Sequence, residues 1–322
     1  MSNPGSTGAH AGWLRAMPVV FVLIWSTGFI VARYAMPHAP PLKFLVVRYA
    51  LSSVCFLAWV AVARVAWPRS RAQFGHLAIT GVLIQAGYLG GVWAAVKAGM
   101  GSGLIALLVG LQPVLTALWM SAHGGRTSRR QWAGLALGFA GLALVVGRKL
   151  EQGGEVSALT LALAAMALLS ITAGTLYQKR FVAPCDVRSA SAVQQLAALA
   201  ITLPLAWVLE AQAIHWNAES IGAMAWSVLA LTLGGSSLLY ILIQRGTATA
   251  VTSLLYLVPP CTAVMAWLLF DEPVTVLTLA GIALTAVCGC WWTHCSSTSV
   301  PSRGSRQIDW RPELAAGEAQ AV

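Results

Sequence analysis

The chain has 322 residues and a net charge of +10, and it is 58% hydrophobic but only 9% charged. Soluble domains carry about 25% charged residues, so a soluble globular protein is excluded and an all-α polytopic membrane protein is predicted. The positive charge is divided among short clusters between apolar runs, which is typical of membrane topology and argues against a nucleic-acid-binding face.

Ten apolar segments are each close to the length of about 20 residues that a membrane-spanning helix needs. They are predicted at 17–35, 44–64, 75–96, 102–122, 131–147, 157–178, 189–209, 222–243, 248–270 and 275–294. Residues 1–16 are predicted to form a cytoplasmic N-terminal tail. Residues 295–322 are rich in Ser, Gly, Pro and charge, and are predicted to form a disordered C-terminal tail.

The positions of Lys and Arg predict that both tails lie in the cytoplasm. With ten spans, fourteen of the twenty basic residues fall on the side of the tails. The other six are Arg33, Lys43, Arg48, Lys97, Arg148 and Lys149. Because cytoplasmic loops carry an excess of Lys and Arg, we expect a multi-pass protein of the inner (plasma) membrane with both termini inside.

The two halves of the chain match each other at a shift of 146 residues. This shift places WSTGFIVAR (25–33) over ITAGTLYQK (171–179), with Gly28 on Gly174. It also places LQPVLTAL (111–118) over LVPPCTAV (257–264), with Pro113 on Pro259. One offset that holds at both ends of a segment indicates a duplication, with repeats at 17–147 and 157–294.

Each repeat contains five spans, and five is an odd number. The second repeat therefore begins on the opposite side of the membrane from the first. The predicted architecture is ten transmembrane helices in two inverted five-helix repeats, an arrangement that recurs in secondary transporters with a binding site near the bilayer midplane.

Three stretches carry a family resemblance. They are WSTGFIVARYAMPHAPPLKFLVVRYALS from Trp25, GTLYQKRF from Gly174 and SLLYLVPPCTAVMAWLLFDEPVTVLTLAGIALT from Ser253. Together they resemble the EamA-type transporters of the drug/metabolite transporter superfamily. The resemblance implies export of amino acids, metabolites or drugs without choosing among them. The halves differ where the second has Asp271-Glu272 after its fourth span and the first has His123-Gly124.

Polar and aromatic residues inside spans are the candidate substrate-binding residues, because such side chains usually face the interior of a bundle. Trp25 can stack on a substrate and Ser26 can hydrogen-bond one, whereas helix packing is the alternative for both. Arg48, the deepest fixed charge, can pair with a substrate carboxylate or extend to the membrane surface. The other candidates, each with a helix-joining role as the alternative, are Gln85, Tyr88, Tyr177, Gln194, Tyr240 and Tyr256.

Glycine and proline at repeat-related positions are candidate hinges. Pro113 and Pro259 each remove a backbone hydrogen bond near mid-membrane, and Gly28 and Gly174 permit a local break or close helix approach. A static kink is the alternative for the prolines.

No predicted span contains Asp or Glu. Proton-coupled carriers commonly use a membrane carboxylate, so we expect a metabolite exporter or facilitator that works by alternating access without a buried acid. A multidrug or nucleotide-sugar-type carrier and a non-transporting scaffold or receptor remain the alternatives.

The residues indicate no enzyme, metal site or cofactor. The histidines lie in loops or near span ends, and the spacing of Cys288, Cys290 and Cys295 matches no zinc pattern. The expected partners are a small-molecule substrate and the lipid bilayer, without nucleic acid, and assembly as a homodimer is left open.

Overall fold

The structure, a computed structural model, describes residues 5–122, 156–245 and 257–271, together with the helical positions Trp132, Ala136 and Gly147. Within these residues all regular structure is helical, and seven helices are long and apolar enough to cross a membrane. The predicted class, an all-α polytopic membrane protein, is confirmed to this extent. The spans predicted at 131–147 and 275–294 lie outside the described residues, apart from the three isolated positions.

Eight helices follow one another along the described chain. They are α1 Gly5–Ala35, α2 Pro41–Val62, α3 Arg71–Lys97, α4 Ser102–Ala122, α5 Ala158–Phe181, α6 Val187–Leu209, α7 Ala218–Ile243 and the shorter α8 Val258–Phe270. All of them overlap predicted spans. Helix α1 begins at Gly5, inside the predicted N-terminal tail. Its apolar, membrane-spanning part is the later stretch, Met17–Ala35.

Polar caps set several helix starts. The Ser70 hydroxyl accepts from the amide of Gln73 at the start of α3, and the Asn217 side chain accepts from the amide of Ser220 at the start of α7. These capping turns are polar, so hydropathy alone places the starts of α3 and α7 too late by about one turn. Asp186 caps α6, and its hydrogen bonds from Arg188 hold the pKa of the carboxyl below its ordinary value.

The helices pack in a reciprocal pattern, in which the first helix of each part of the chain packs on later helices of the other part. Helix α1 packs on α7 and α8, and helix α5 packs on α3 and α4. Helix α2 lies along α6, and α4 contacts α8. Large buried apolar side chains from the first four helices, such as Phe21, Phe44 and Trp93, form most of the core.

Two helices contain π-helical segments at corresponding positions. Residues Val82–Leu89 of α3 and Ser227–Ser236 of α7 adopt this wider coil. The shift of 146 residues moves the first segment to 228–235, inside the second. Such segments are rare and often occur at functional sites.

Glycine allows α3 to approach its neighbours closely. A Cβ atom at Gly81 would lie 2.4 Å from the backbone oxygen of Gln194 in α6. One at Gly174 of α5 would lie 2.5 Å from the side chain of Ile84. Helix α5 continues without a break through Gly174, as α1 does through Gly28.

The two ends of the bundle differ in their loops. Loops 63–70 and 182–186 meet at one end, where Gln73 donates to the carbonyl of Ala183. We call this end the basic face, because Arg64, Arg69, Arg71, Lys179 and Arg180 lie near it.

At the opposite face, Glu210 joins two helices. Its carboxylate oxygens accept hydrogen bonds from the amides of Leu42 and Lys43, each at 2.8 Å, in the first turn of α2. A negative charge at a helix N-terminus is stabilising. His38 and Glu219 pair at the same face, 2.8 Å apart.

The contact at Gly81 predicts a selective effect on stability. We expect Gly81→Ala to lower the free energy of unfolding by about 1–3 kcal/mol, because the added methyl meets backbone that cannot move aside. Gly75→Ala, in the same helix, meets nothing within 4 Å and serves as the control. Thermal unfolding in detergent compares the two, and equal melting temperatures would contradict the packing described.

Candidate functional site

A small cavity lies where α1, α2, α3 and α7 meet. Its volume of about 30 Å³ holds about two water molecules, each of which needs roughly 10–15 Å³. Its lining is mostly aromatic and apolar with three polar residues, and comprises Trp25, Gly28, Phe29, Arg48, Ile84, Gln85, Tyr88, Leu89, Val92, Trp93, Leu231 and Ser236. A metabolite-sized ligand therefore requires the helices to separate.

Four of the predicted substrate-binding residues meet at this cavity. Trp25, Arg48, Gln85 and Tyr88 all line it, although they come from three helices. The rings of Trp25 and Tyr88 lie parallel, with centroids 6.1 Å apart. Parallel aromatic faces at this position suit an apolar or planar part of a ligand.

Among the described residues that line the cavity, Arg48 is the single cation. Its side chain is buried, with Nε donating to the Thr232 hydroxyl at 3.0 Å. The guanidinium carbon lies 5.9 Å from the centroid of the Trp93 ring. Nη1 has no hydrogen-bond partner within the described part of the chain. A buried cation with an unused donor is complementary to an anionic group.

The π-helical segments carry polar atoms to the cavity. In α7, Thr232 receives the bond from Arg48 and donates its own proton to the carbonyl of Ser227, five residues earlier. In α3, Gln85 donates its amide to Ser236 at 3.4 Å, and its backbone carbonyl accepts from the Tyr49 hydroxyl. The wide coil thus places Gln85 and Ser236 beside each other at the cavity.

Other predicted residues lie away from this cavity. The Ser26 hydroxyl bonds to the carbonyl of Val22 at 2.7 Å and reaches that of Val258 at 3.4 Å, between α1 and α8. Tyr177 contacts Nδ1 of His76 at 2.8 Å.

The remaining tyrosine and glutamine predictions fall nearer the basic face or outside the structure. The Tyr240 hydroxyl lies 3.0 Å from the Cys185 sulfur. Gln194 is buried beside Gly81, and its amide nitrogen has no partner among the described residues. Tyr256 lies outside the described residues. A binding role for any of these residues stays a prediction.

The predicted hinge prolines both lie in the first turn of a helical piece. Helix α4 is interrupted at Gly110 and Leu111, and Pro113 follows at the second position of the piece Gln112–Ala122. Pro259 lies at the start of α8. A Cβ atom at Gly110 would lie 2.7 Å from the Pro259 ring, so the two sites meet. Their movement stays a prediction.

The sequence did not reveal several residues of the site. Trp93 and Val92 lie seven to eight residues after Gln85, a spacing that returns to the same helix face, and this signal would have found them. Leu231 lines the cavity and Thr232 binds Arg48, and no such signal marks either residue, because both lie in the π-helical segment of α7.

Comparison with known proteins identifies relatives along most of the chain. Residues 15–147 and 158–293 each match the model of the EamA-like transporter family. The sequence is 26% identical over 275 residues to the uncharacterized transporter YvbV of Bacillus subtilis, covering 83% of this chain and 88% of that protein. It is 27% identical over 278 residues to a protein of Salmonella typhimurium named "Probable amino-acid metabolite efflux pump", covering 83% of this chain and 90% of that one.

Two further comparisons concern location and fold. The uncharacterized inner membrane transporter YedA of Escherichia coli is 26% identical over 211 residues, covering 65% of this chain and 66% of that protein. A solved crystal structure matches with a TM-score of 0.67 at 18% identity, covering 87% of this chain and 96% of that one. At this identity the match shows a shared fold.

The burial of Arg48 predicts different effects on stability for a substitution of Arg48 and for a substitution of its hydrogen-bond acceptor, Thr232. We expect Thr232→Val to lower the free energy of unfolding by about 1–3 kcal/mol, because the guanidinium then lacks its hydroxyl acceptor. Arg48→Met removes the charge itself, and we expect stability equal to or above that of the unmodified protein. Thermal unfolding in detergent measures both. A lower stability for Arg48→Met than for Thr232→Val would contradict this view.

Proposed function

Because the chain belongs to the EamA-like transporter family, within the drug/metabolite transporter superfamily, it is a membrane transporter, and we propose that it exports or facilitates a small metabolite such as an amino acid. The proposed location is the inner membrane, as in the name of the Escherichia coli relative. The proposed direction is outward, in line with the efflux named for the Salmonella relative.

The observation that carries the proposal is the buried Arg48 at the central cavity. Its partners are a hydroxyl and an aromatic ring, and no described carboxylate forms an ion pair with it. A carboxylate of the substrate would supply the missing anion by a charge-assisted hydrogen bond. Trp25 and Tyr88 would contact the rest of the molecule, with Gln85 as a further hydrogen-bond donor.

Alternating access between two inverted five-helix repeats is the proposed mechanism. The double match to the family model supports the repeats. The packing gives further support, because α1 packs on α7 and α8 as α5 packs on α3 and α4. The matching π-helical segments of α3 and α7 support the repeats as well. In such carriers the two repeats rock around a site between them. The excess of Lys and Arg on one side supports the placement of both termini in the cytoplasm.

The proposed transport does not use a buried acid for coupling. The acidic residues among those described, Asp186, Glu210, Glu219 and Asp271, all lie at or next to helix ends. A cationic drug would meet Arg48 rather than a counter-charge, so a multidrug carrier of cations is disfavoured.

Counterflow in proteoliposomes tests the binding role of Arg48. The vesicles are preloaded with unlabelled amino acids or other carboxylates, and entry of labelled substrate is measured without an ion gradient. We expect Arg48→Met to slow exchange by about tenfold or more, because a charged hydrogen bond contributes about 1.5–3 kcal/mol. Arg69→Met, at an exposed loop position, should exchange normally. Unchanged exchange in Arg48→Met would exclude it as the anchor.

The absence of acidic residues from the predicted spans gives a separate prediction. We expect an imposed pH gradient to change the rate of substrate exchange by less than about twofold, since no carboxylate within a span is there to carry the proton. A protonophore control removes the gradient in the same vesicles. Substrate accumulation that follows the pH gradient would contradict facilitation and require a proton-carrying group.

A further inference from the structure

A second group of polar side chains lies between the central cavity and the basic face. These side chains are two to three turns or less from the helix ends at that face, and we call them the amide cluster: Gln178 of α5, Ser191, Gln194 and Gln195 of α6, and Ser237 of α7. Each has a buried side-chain nitrogen or oxygen without a hydrogen-bond partner in the described residues. The three glutamines are at most 5% exposed.

Four helices enclose this part of the bundle. They are α3, α5, α6 and the last part of α7. Helix α3 packs on both α5 and α6, and the last part of α7 also packs on α5 and α6. Gly81 of α3 meets the backbone of Gln194. Gln178 lies one turn beyond Gly174, which contacts Ile84, so it faces the preceding turn of α3, next to Gly81. Gln178 and Gln194 therefore lie near the same turn of α3.

At two of the five repeat-related positions the opposite half of the bundle has an apolar side chain, whereas Gln194 and Gln195 correspond to Arg48 and Tyr49, and Ser237 corresponds to Gly91. The shift of 146 residues relates Gln178 to Ala32 and Ser191 to Leu45, and both of these apolar residues are fully buried. Phe44 and Trp93 stack there with centroids 4.8 Å apart. The part of the opposite half around Ala32, Leu45 and the Phe44–Trp93 pair is therefore packed and apolar, and we call it the apolar half. The amide cluster instead contains polar groups that need partners.

Resting on the proposed function, we propose that the amide cluster lines a hydrated passage from the basic face to Arg48 and binds the polar groups of the solute on its way. Both polar atoms of the Gln195 side chain lack partners. An amide donates to a carboxylate and accepts from an ammonium group. The passage thus suits a small zwitterion or its hydration shell, and the apolar half remains closed while the solute enters.

Cysteine accessibility tests the passage. The six native cysteines are replaced by serine, and single cysteines are introduced as Ser191→Cys, in the amide cluster, and Ala32→Cys, in the apolar half. Both changes are small, so the fold should be retained, and thermal unfolding checks this. A charged, membrane-impermeant thiol reagent is applied to vesicles with the basic face outward. We expect Ser191→Cys to react about tenfold faster or more, since only a hydrated thiol ionises and reacts readily.

Equal reaction rates for the two positions would overturn the passage, even in vesicles that perform counterflow normally. Protection of Ser191→Cys by the transported solute is the second expected result. A solute that supports counterflow but gives no protection would overturn binding at the cluster. Gln178→Cys, compared with the same Ala32→Cys control, repeats the test from α5 if Ser191→Cys is unstable. Counterflow itself is scored separately, so failure of the proposed function is distinguishable from failure of the passage.

Discussion

The burial of one guanidinium, that of Arg48, is the constraint on which the rest of the site depends. An Arg at the centre of a membrane helix costs about 2.5–3.5 kcal/mol on insertion scales. One hydroxyl and the face of Trp93 offset part of this cost. One donor of the group is left without a partner among the described residues. A charge kept in this arrangement reduces stability, and such a cost is typical of sites retained for function.

The backbone around Arg48 is shaped to meet that constraint. Thr232 accepts from the guanidinium while bonded to a carbonyl five residues back, which is the spacing of a π-helix. The corresponding segment of α3 presents Gln85 and Tyr88 from the other side of the cavity. Close approach at Gly81 and Gly174 holds α3 against α6 and α5. Local distortion and small residues together place polar groups where regular helices would leave them apart.

The half of the bundle at the basic face and the opposite half differ in their side chains. In the half at the basic face, Gln178, Gln194 and Gln195 need polar partners, whereas Phe44 and Trp93 stack on each other in the opposite half. Opening the first half exposes amides to water at little cost, and opening the second exposes apolar surface. In the proposed carrier, side chains rather than the fold would therefore set the resting conformation and the class of solute.

The sequence by itself determined the class of protein and most membrane spans, because apolar length is local information. It also determined that Gln85 and Tyr88 share a helix face and that Arg48 lies inside a span. Only the tertiary structure decided that Trp25 lines the cavity while its neighbour Ser26 bonds to the backbone of α1 and reaches α8. It alone joined Arg48 to Thr232, 184 residues away. The helical period determines which residues share a face, but packing against distant helices decides which face meets the cavity, and π-helical segments shift the faces that follow them.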